Sequence, residues 1–316
     1  MVDNNATVFI LILNWNGYLD TIECVDSCQK LDYPNFTIVI IDNGSTDGSE
    51  EILHKRFADI YILQTGSNLG FAGGNNVGIR YALDHGAEYI WLLNNDTIID
   101  SAALSELVKV AESESTIGMV GSKILKYSAP DIIDCAAGQI NFQKGTTCHI
   151  GRGEKDVGQY DELSEVDYIT GCSLLVKKEV LEKVGLMLEE YFLYYEETDW
   201  CLQTRRKGYK LYCAPLSKVF HKVHSSTQKI DGAFLYYITR NRLYFLEKFG
   251  DNIKWKKRIM KDWRLNKAIF YTDFFLRVYD LKYLLKAYLH WVLGYGGAME
   301  FPVRCYDSLW KRRVFR

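Results

Sequence analysis

The sequence is short of the marks that would put it in several common classes. It has no Cys-x-x-Cys pair, and its eight cysteines in 316 residues are under three per hundred, which argues against a zinc ribbon or a disulfide-dense secreted module. The opening MVDNNATVFILILNWNG has an acid before a short apolar run and no basic leader, so no secretory signal is expected. No run reaches the roughly 20 apolar residues that a bilayer needs. The most apolar stretch, 283–299, is interrupted by Lys286 and His290, and no transmembrane helix is expected. Gly-x-x-x-x-Gly-Lys-Ser/Thr and the full dinucleotide fingerprint are both missing, so P-loop ATPase and nicotinamide dehydrogenase readings lose support. Internal repeats and low-complexity tracts are absent too. The expectation is a reduced, cytoplasmic chain.

What is present is a normal globular composition, 48% hydrophobic and 25% charged, enough for a sizeable core in one large domain or one domain with an appendage. The net charge of −2 hides an asymmetry: residues 240–316 hold 18 Lys and Arg against 7 Asp and Glu, a surplus of +11, while 1–239 carry −13. Two regions with different partners are expected, 1–239 and 240–316.

The first hundred residues alternate short apolar runs with amphipathic stretches, as strands and helices do in a parallel sheet. Strands are expected at Val8 to Leu13, Phe36 to Ile41, Ile60 to Leu63 and Tyr89 to Leu93, and helices near Tyr18 to Leu31, Asp47 to Phe57 and Ala72 to His85. The middle, Gly121 to Asp167, reads as less regular, with Gln143 to Gly158 a mobile or acceptor-facing loop. Val166 to Lys177 reads as a strand, Tyr195 to Lys207 as a helix stopped by Gly208, and the chain from about Asp231 as basic helix.

Polar clusters follow three of the strands: Asn14-Trp15-Asn16-Gly17, Asp42-Asn43-Gly44-Ser45 and Asn94-Asn95-Asp96-Thr97. In doubly wound sheets ligands bind beyond the carboxyl ends of strands, so these clusters should share a crevice. Asp42 can accept from a ribose hydroxyl or a base N–H, or serve as a turn aspartate. The segment Asn68 to Gly78, with Gly70, Asn75 and Asn76, can bring backbone N–H groups to a diphosphate, or can simply make a tight strand-to-helix connection. Asp96, with Asn94 and Asn95, suits a hard divalent cation, most of whose affinity would come from bound phosphates. An isolated tripeptide of this kind is also a common turn.

Taken in order, Asn14-Trp15-Asn16-Gly17, the run from Ile41 to Gly48, the Asn68 to Gly78 loop, Leu92-Leu93-Asn94-Asn95-Asp96 and Tyr195-Glu196-Glu197-Thr198-Asp199-Trp200-Cys201-Leu202 resemble family-two glycosyltransferases of the GT-A fold. The likeness is strongest to their bacterial rhamnosyltransferase-like branch and spans about residues 7–245. It implies an α/β, Rossmann-like, mostly parallel sheet flanked by helices, with a basic, aromatic helical extension. It also implies that Asp42 contacts the nucleoside and that Asp96, with a lesser role for Asn94, holds Mg2+ or Mn2+ on the donor diphosphate. Glu197 falls at the catalytic base and His221 at a metal-binding histidine, with His224 close by. Glu196 and Asp199 are accessory candidates. Asn94 stands where the fuller metal motif has aspartate, Glu197 where aspartate is usual, and Leu188 where members commonly carry aspartate.

Such chemistry suits these residue types: displacing a nucleoside diphosphate needs its charge stabilised while a base takes the acceptor proton. One carboxylate opposite the leaving group implies inversion. The alternative for the acids at 196, 197 and 199 is a helix start complementing the macrodipole. The expected activity is transfer of a sugar, with dTDP-rhamnose the best guess, from a nucleotide-sugar donor to a lipid-linked or growing glycan acceptor. The alternative is a non-catalytic nucleotide-sugar-binding subunit.

Residues 240–316 also carry 18 aromatics, a pattern that suits an anionic membrane surface, nucleic acid or packing against another subunit. The membrane surface is the expectation, as a peripheral contact on the inner face of the cell membrane. Nucleic acid is not expected, and a homo-oligomer is open. Arg240 and Arg242 could reach donor phosphates or form surface ion pairs.

Overall fold

A computed structural model describes residues 6–142, 144–222, 232–250 and 274–299, with backbone alone over 274–281. The described residues form two compact units, one from 6–141 and 146–222, the other from 142, 144–145, 232–250 and 274–299.

In the first unit, β1 (Val8–Asn14), β2 (Phe36–Asp42), β3 (Tyr61–Gln64) and β4 (Tyr89–Asn94) lie parallel in the order β3-β2-β1-β4. The apolar runs of β1, β2 and β4 are continuous because both faces are covered, whereas β3, at the edge, is exposed or half-buried. Ile10, Ile12, Ile40 and Trp91 enter one core, and Leu11, Val39, Ile41 and Leu92 are buried at the alternate positions. The connecting helices are α1 (Tyr18–Cys28), α2 (Ser49–Arg56) and α3 (Gly70–Asp84). On α3, a Cβ at Gly74 would lie 2.5 Å from Leu13 Cδ1, and one at Gly78 2.8 Å from Ile41 Cδ1. These glycines let the helix approach the sheet more closely than side chains allow.

After β5 (Thr97–Ile99) comes α4 (Ala103–Ser113), which buries Ala103, Leu104, Leu107, Val108 and Ala111 as one helical stripe. The chain then forms β6 (Ile117–Lys126), β7 (Ala129–Cys135), β8 (Ala137–Asn141), β9 (Thr146–Ile150), β10 (Ser164–Glu165) and β11 (Ser173–Lys177). Three further elements, α5 (Lys178–Val184), α6 (Glu196–Arg206) and β12 (Lys210–His221), follow. From β4 the sheet continues β11-β6-β12-β10, with β11 antiparallel to both neighbours and β12 parallel to β6. A buried hydroxyl chain ties these strands: Trp91 Nε1 donates to Ser173 Oγ at 2.9 Å, Ser173 and Ser122 hydroxyls meet at 2.7 Å, and Ser122 and Ser217 at 2.8 Å.

Two expectations are corrected. The middle region is substantially β: β6 runs through Lys123, whose charge breaks the apolar pattern but is buried in an ion pair with Asp156 at 3.2 Å and another with Asp161. The strand expected from Val166 begins only at Ser173, because Thr170-Gly171-Cys172 turns the chain and Cys172 O accepts from Asn94 N at 3.0 Å.

In the second unit, α7 (Ala233–Phe249) packs on α8 (Phe274–Val292). Among the described residues no helix is long and apolar enough to cross a membrane.

Candidate active site

The polar clusters expected to converge lie at one edge of the sheet. Parallel pairing sets Asn14 beside Asp42 at the ends of β1 and β2, while Asn94 ends β4 next to β1. Asp42 is fully buried and accepts from Asn14 Nδ2 at 2.7 Å, Ser45 N at 2.9 Å and Gln64 Nε2 at 3.1 Å. A carboxylate offers about four lone pairs, and three donors of the protein already engage this enclosed group. Both Nδ2 hydrogens of Asn14 are used, on Asp42 and on Ser45 Oγ at 3.1 Å, and its Oδ1 accepts from Thr21 Oγ1 at 2.8 Å, so it holds Asp42 in place. Asn16 adopts φ 53° and accepts from Thr46 N at 2.8 Å, closing the loops after β1 and β2 on each other.

The glycine-rich start of α3 differs from the diphosphate reading. Leu69 N donates to Asn43 Oδ1 at 3.0 Å, Gly70 N to Asn68 Oδ1 at 2.8 Å, and Phe71 N to Phe192 O at 2.7 Å. Three of the helix-terminal donors are thus spent within the protein. Asn75 donates to Phe71 O, and Asn76 clasps the Met187 backbone and Glu189. Gly70 N, Asn75 Nδ2 and both polar atoms of Asn76 are thus engaged within the protein. A Cβ at Gly70, which has φ +75°, would fall 2.3 Å from Phe192 O.

That contact carries the edge of the crevice to α6. Phe192, Tyr194 and Tyr195 all take positive φ, uncommon for large side chains, and lead directly into Glu196 and Glu197. Acids in this first turn complement the helix dipole. Glu196 is buried, with Oε2 lacking a hydrogen-bond partner; burial, and then the charge of Glu197, push its carboxyl well up. Glu197 keeps an accessible face, yet burial raises its carboxyl to about 7, against opposing hydrogen bonds from the start of the helix. A carboxyl poised there can take up a proton near neutrality. Asp199 is fully buried and accepts from Tyr191 OH at 2.8 Å and from Gln203, so it braces the loop and helix.

Across the edge, β5 leaves Asp96 and pairs with the end of β12, placing Thr97 opposite His221. Lys222 N donates to Asp96 O at 2.9 Å, fixing the two strand ends together. His221 Nε2 lies 3.2 Å from Asp96 Oδ1, and Nδ1 lies 3.5 Å from Asp134 Oδ2. Burial alone would lower the imidazole, but hydrogen bonds and charge from Asp134 and Asp96 outweigh it and raise His221 to about 9. Asn95 points away from this pair, donating to Thr21 Oγ1 at 3.0 Å and Gly17 O at 3.3 Å. Asn94 gives its carbonyl to Thr97 Oγ1 at 2.6 Å.

The Asp96–His221 spacing matches two adjacent ligands of one ion: ligands about 2.1 Å from a metal at right angles are about 3 Å apart. One carboxylate and one imidazole, with no group of three His, Cys, Asp or Glu that could hold a metal among the described residues, leave several positions for phosphate oxygens and water. This donor set fits a hexacoordinate Mg2+ or Mn2+ shared with a diphosphate.

Asp134, Lys222 and Arg152, whose Nε lies 3.5 Å from Asp134 Oδ1, were not singled out in the sequence. Lys222 is buried with its ammonium 2.8 Å from Asp20 and 2.7 Å from Glu23, anchoring the end of β12 to α1. His224 lies outside the described residues. Arg240 is fully buried, donating to Gly297 O at 2.8 Å and Tyr236 OH at 3.3 Å with Tyr236 and Tyr237 rings about its guanidinium, and Arg242 donates to Lys144 O at 2.8 Å.

Comparison with known proteins agrees with the arrangement. A family model described as glycosyl transferase family 2 matches residues 9–185, more than half of the chain. The dTDP-rhamnosyl transferase RfbF of Shigella flexneri is 28% identical over 261 residues, 77% of this chain and 81% of its own. The low-salt glycan biosynthesis hexosyltransferase Agl10 of Haloferax volcanii is 27% identical over 206 residues; the match spans 65% of each chain, just under two thirds of that relative's length. Among solved structures, the mannosyltransferase PcManGT from Pyrobaculum calidifontis, in complex with GDP-Man and Mn2+, superposes with a TM-score of 0.55 at 14% identity, covering 92% of this chain and 88% of its own. That likeness is of fold, and the fold is GT-A. The chain belongs to glycosyl transferase family 2 and is a glycosyltransferase.

Proposed function

We propose that the enzyme moves a deoxyhexose, rhamnose from dTDP-rhamnose, onto a hydroxyl of a lipid-linked or growing cell-surface glycan, with inversion. The donor is supported by the likeness to the dTDP-rhamnosyl transferase RfbF, and the glycan acceptor by the likeness to the glycan biosynthesis hexosyltransferase Agl10. Asp42 would accept a hydrogen bond from the nucleoside, held ready by Asn14, Ser45 and Gln64.

Asp96 and His221 would hold Mg2+ or Mn2+, which when bound neutralises charge on the departing diphosphate. Glu197 takes the proton of the acceptor hydroxyl. As that oxygen bonds to the anomeric carbon, the bond from carbon to the donor phosphate breaks and the nucleoside diphosphate leaves with its electron pair. A single base on the face away from the leaving group gives the opposite anomeric configuration. Glu196, kept neutral by burial, adds no second anion beside the base. The basic second unit, 240–316 in the main, would rest on an anionic membrane surface on the cytoplasmic side or against a second copy of the chain.

The observation that carries this reading is the Asp96–His221 pair at 3.2 Å on the same sheet edge as Asp42. The test is a panel of dTDP-, UDP- and GDP-sugars with Mg2+ or Mn2+ and lipid-linked acceptors, read by nucleoside diphosphate release. Turnover with dTDP-rhamnose that disappears in Glu197→Gln while nucleotide binding persists is the expected result. A panel inert throughout, or a Gln variant as active as the parent, would overturn it.

A further inference from the structure

Asp134 belongs to none of the sequence motifs, yet it sits behind the candidate metal ligand. Its strand, β7, pairs antiparallel with β6, and the register steps from Ile124 opposite Cys135 to Leu125 opposite Ile133. Asp134 is therefore the extra residue of a β-bulge, a device that redirects a side chain next to a site. The carboxylate is nine-tenths buried, with Oδ2 3.5 Å from His221 Nδ1 and Oδ1 3.5 Å from Arg152 Nε.

The two nitrogens of an imidazole face in diverging directions. Because Nε2 faces Asp96 and Nδ1 faces Asp134, an ion between Asp96 and Nε2 lies beyond the reach of Asp134. We propose that Asp134 is a positioning residue: it accepts the Nδ1–H of His221, so that the Nε2 lone pair is presented beside Asp96 to the divalent ion on the donor diphosphate. This rests on the metal-site reading above. A neutral imidazole has one donor and one acceptor nitrogen, so the carboxylate at Nδ1 selects the tautomer that can ligate through Nε2. Arg152 engages the other carboxylate oxygen and keeps Oδ2 on the histidine.

The test measures Mn2+ binding by electron paramagnetic resonance, alone and with dTDP, in the full chain and in Asp134→Asn and Asp134→Leu. Leu removes the acceptor and should weaken Mn2+ by about 10–100-fold. Asn keeps an acceptor oxygen without the charge and should lose less, and dTDP binding in EDTA should stay at the parent level in both. A purely structural role would lower the melting temperature without this graded loss. Histidine-selective 15N spectroscopy of the Mg2+- and dTDP-bound parent gives a check that needs no variant: His221 should carry its proton on Nδ1. A folded Leu variant that binds Mn2+ as the parent does, or a proton on Nε2, overturns the assignment of Asp134 alone. A parent that binds no Mn2+ with or without dTDP removes the metal reading, and this proposal with it.

Discussion

Replacing Glu197 by Gln should destroy activity and stabilise the fold, and both effects follow from one displaced proton equilibrium. The carboxyl titrates near 7 in the folded chain against an ordinary value of 4.5. At 1.36 kcal/mol per unit, ionising it in place costs the fold about 3 kcal/mol. The sign follows from proton counting. Below pH 4.5 folded and unfolded chains both hold the proton; between 4.5 and about 7 only the folded chain does, so this contribution to stability is lost as pH rises, and above 7 the loss is complete. Gln mimics the neutral acid and escapes that loss. Urea unfolding at pH 8 should therefore show Glu197→Gln more stable than the parent by up to about 3 kcal/mol, with the gap closing toward pH 5. Nucleoside diphosphate release should drop at least ~10²–10⁴-fold in the variant. In the parent, activity requires the ionised base, so the rate should fall as pH drops through about 7, to roughly a tenth of its plateau at pH 6. A Gln variant less stable than the parent at pH 8, or a parent rate constant from pH 8 to pH 5, would refute this account.

Three further outcomes are expected. EDTA, or Asp96→Asn, should abolish turnover while leaving the far-ultraviolet circular dichroism unchanged, since the proposed ion bridges side chains at strand ends already tied through Lys222 N and Asp96 O. Gly70→Ala forces a methyl against the Phe192 carbonyl at a positive φ; it should cost at least ~2 kcal/mol by thermal unfolding and depress kcat, because the displaced segment leads into Glu197. Arg240→Leu strips the Gly297 carbonyl of its charged donor and should destabilise by about 1–3 kcal/mol, with the donor KM unchanged; a raised donor KM would restore a phosphate-binding role.

The parallel half of the sheet was legible because double-sided burial writes itself as unbroken apolar runs, as in Ile38-Val39-Ile40-Ile41. The region around Lys123 was not, because a buried ammonium paired with Asp156 and Asp161 looks like a solvent-facing charge in a linear reading. In the candidate site, Asp96 stands out through its strand-end motif and His221 only through the family resemblance, and the structure sets them 3.2 Å apart. Gly70, Asn75 and Asn76 carry the residue types of an anion cradle, yet three local acceptors, Asn43, Asn68 and Phe192, claim the backbone donors at the helix start. Only tertiary contacts reveal that competition. Asp134 had no signal at all: a bulge is a property of two paired strands, and neither strand alone encodes the mismatch.

The pairing of Thr97 with His221 has a consequence for the order of events during synthesis. The strand ends that carry Asn14, Asp42 and Asp96 come from the early part of the chain, whereas His221, the second of the two proposed ion ligands, arrives on β12, after the whole intervening sheet. On the proposed reading, the emerging chain would carry the nucleoside-contacting carboxylate before it has both ligands for the ion that activates the leaving group.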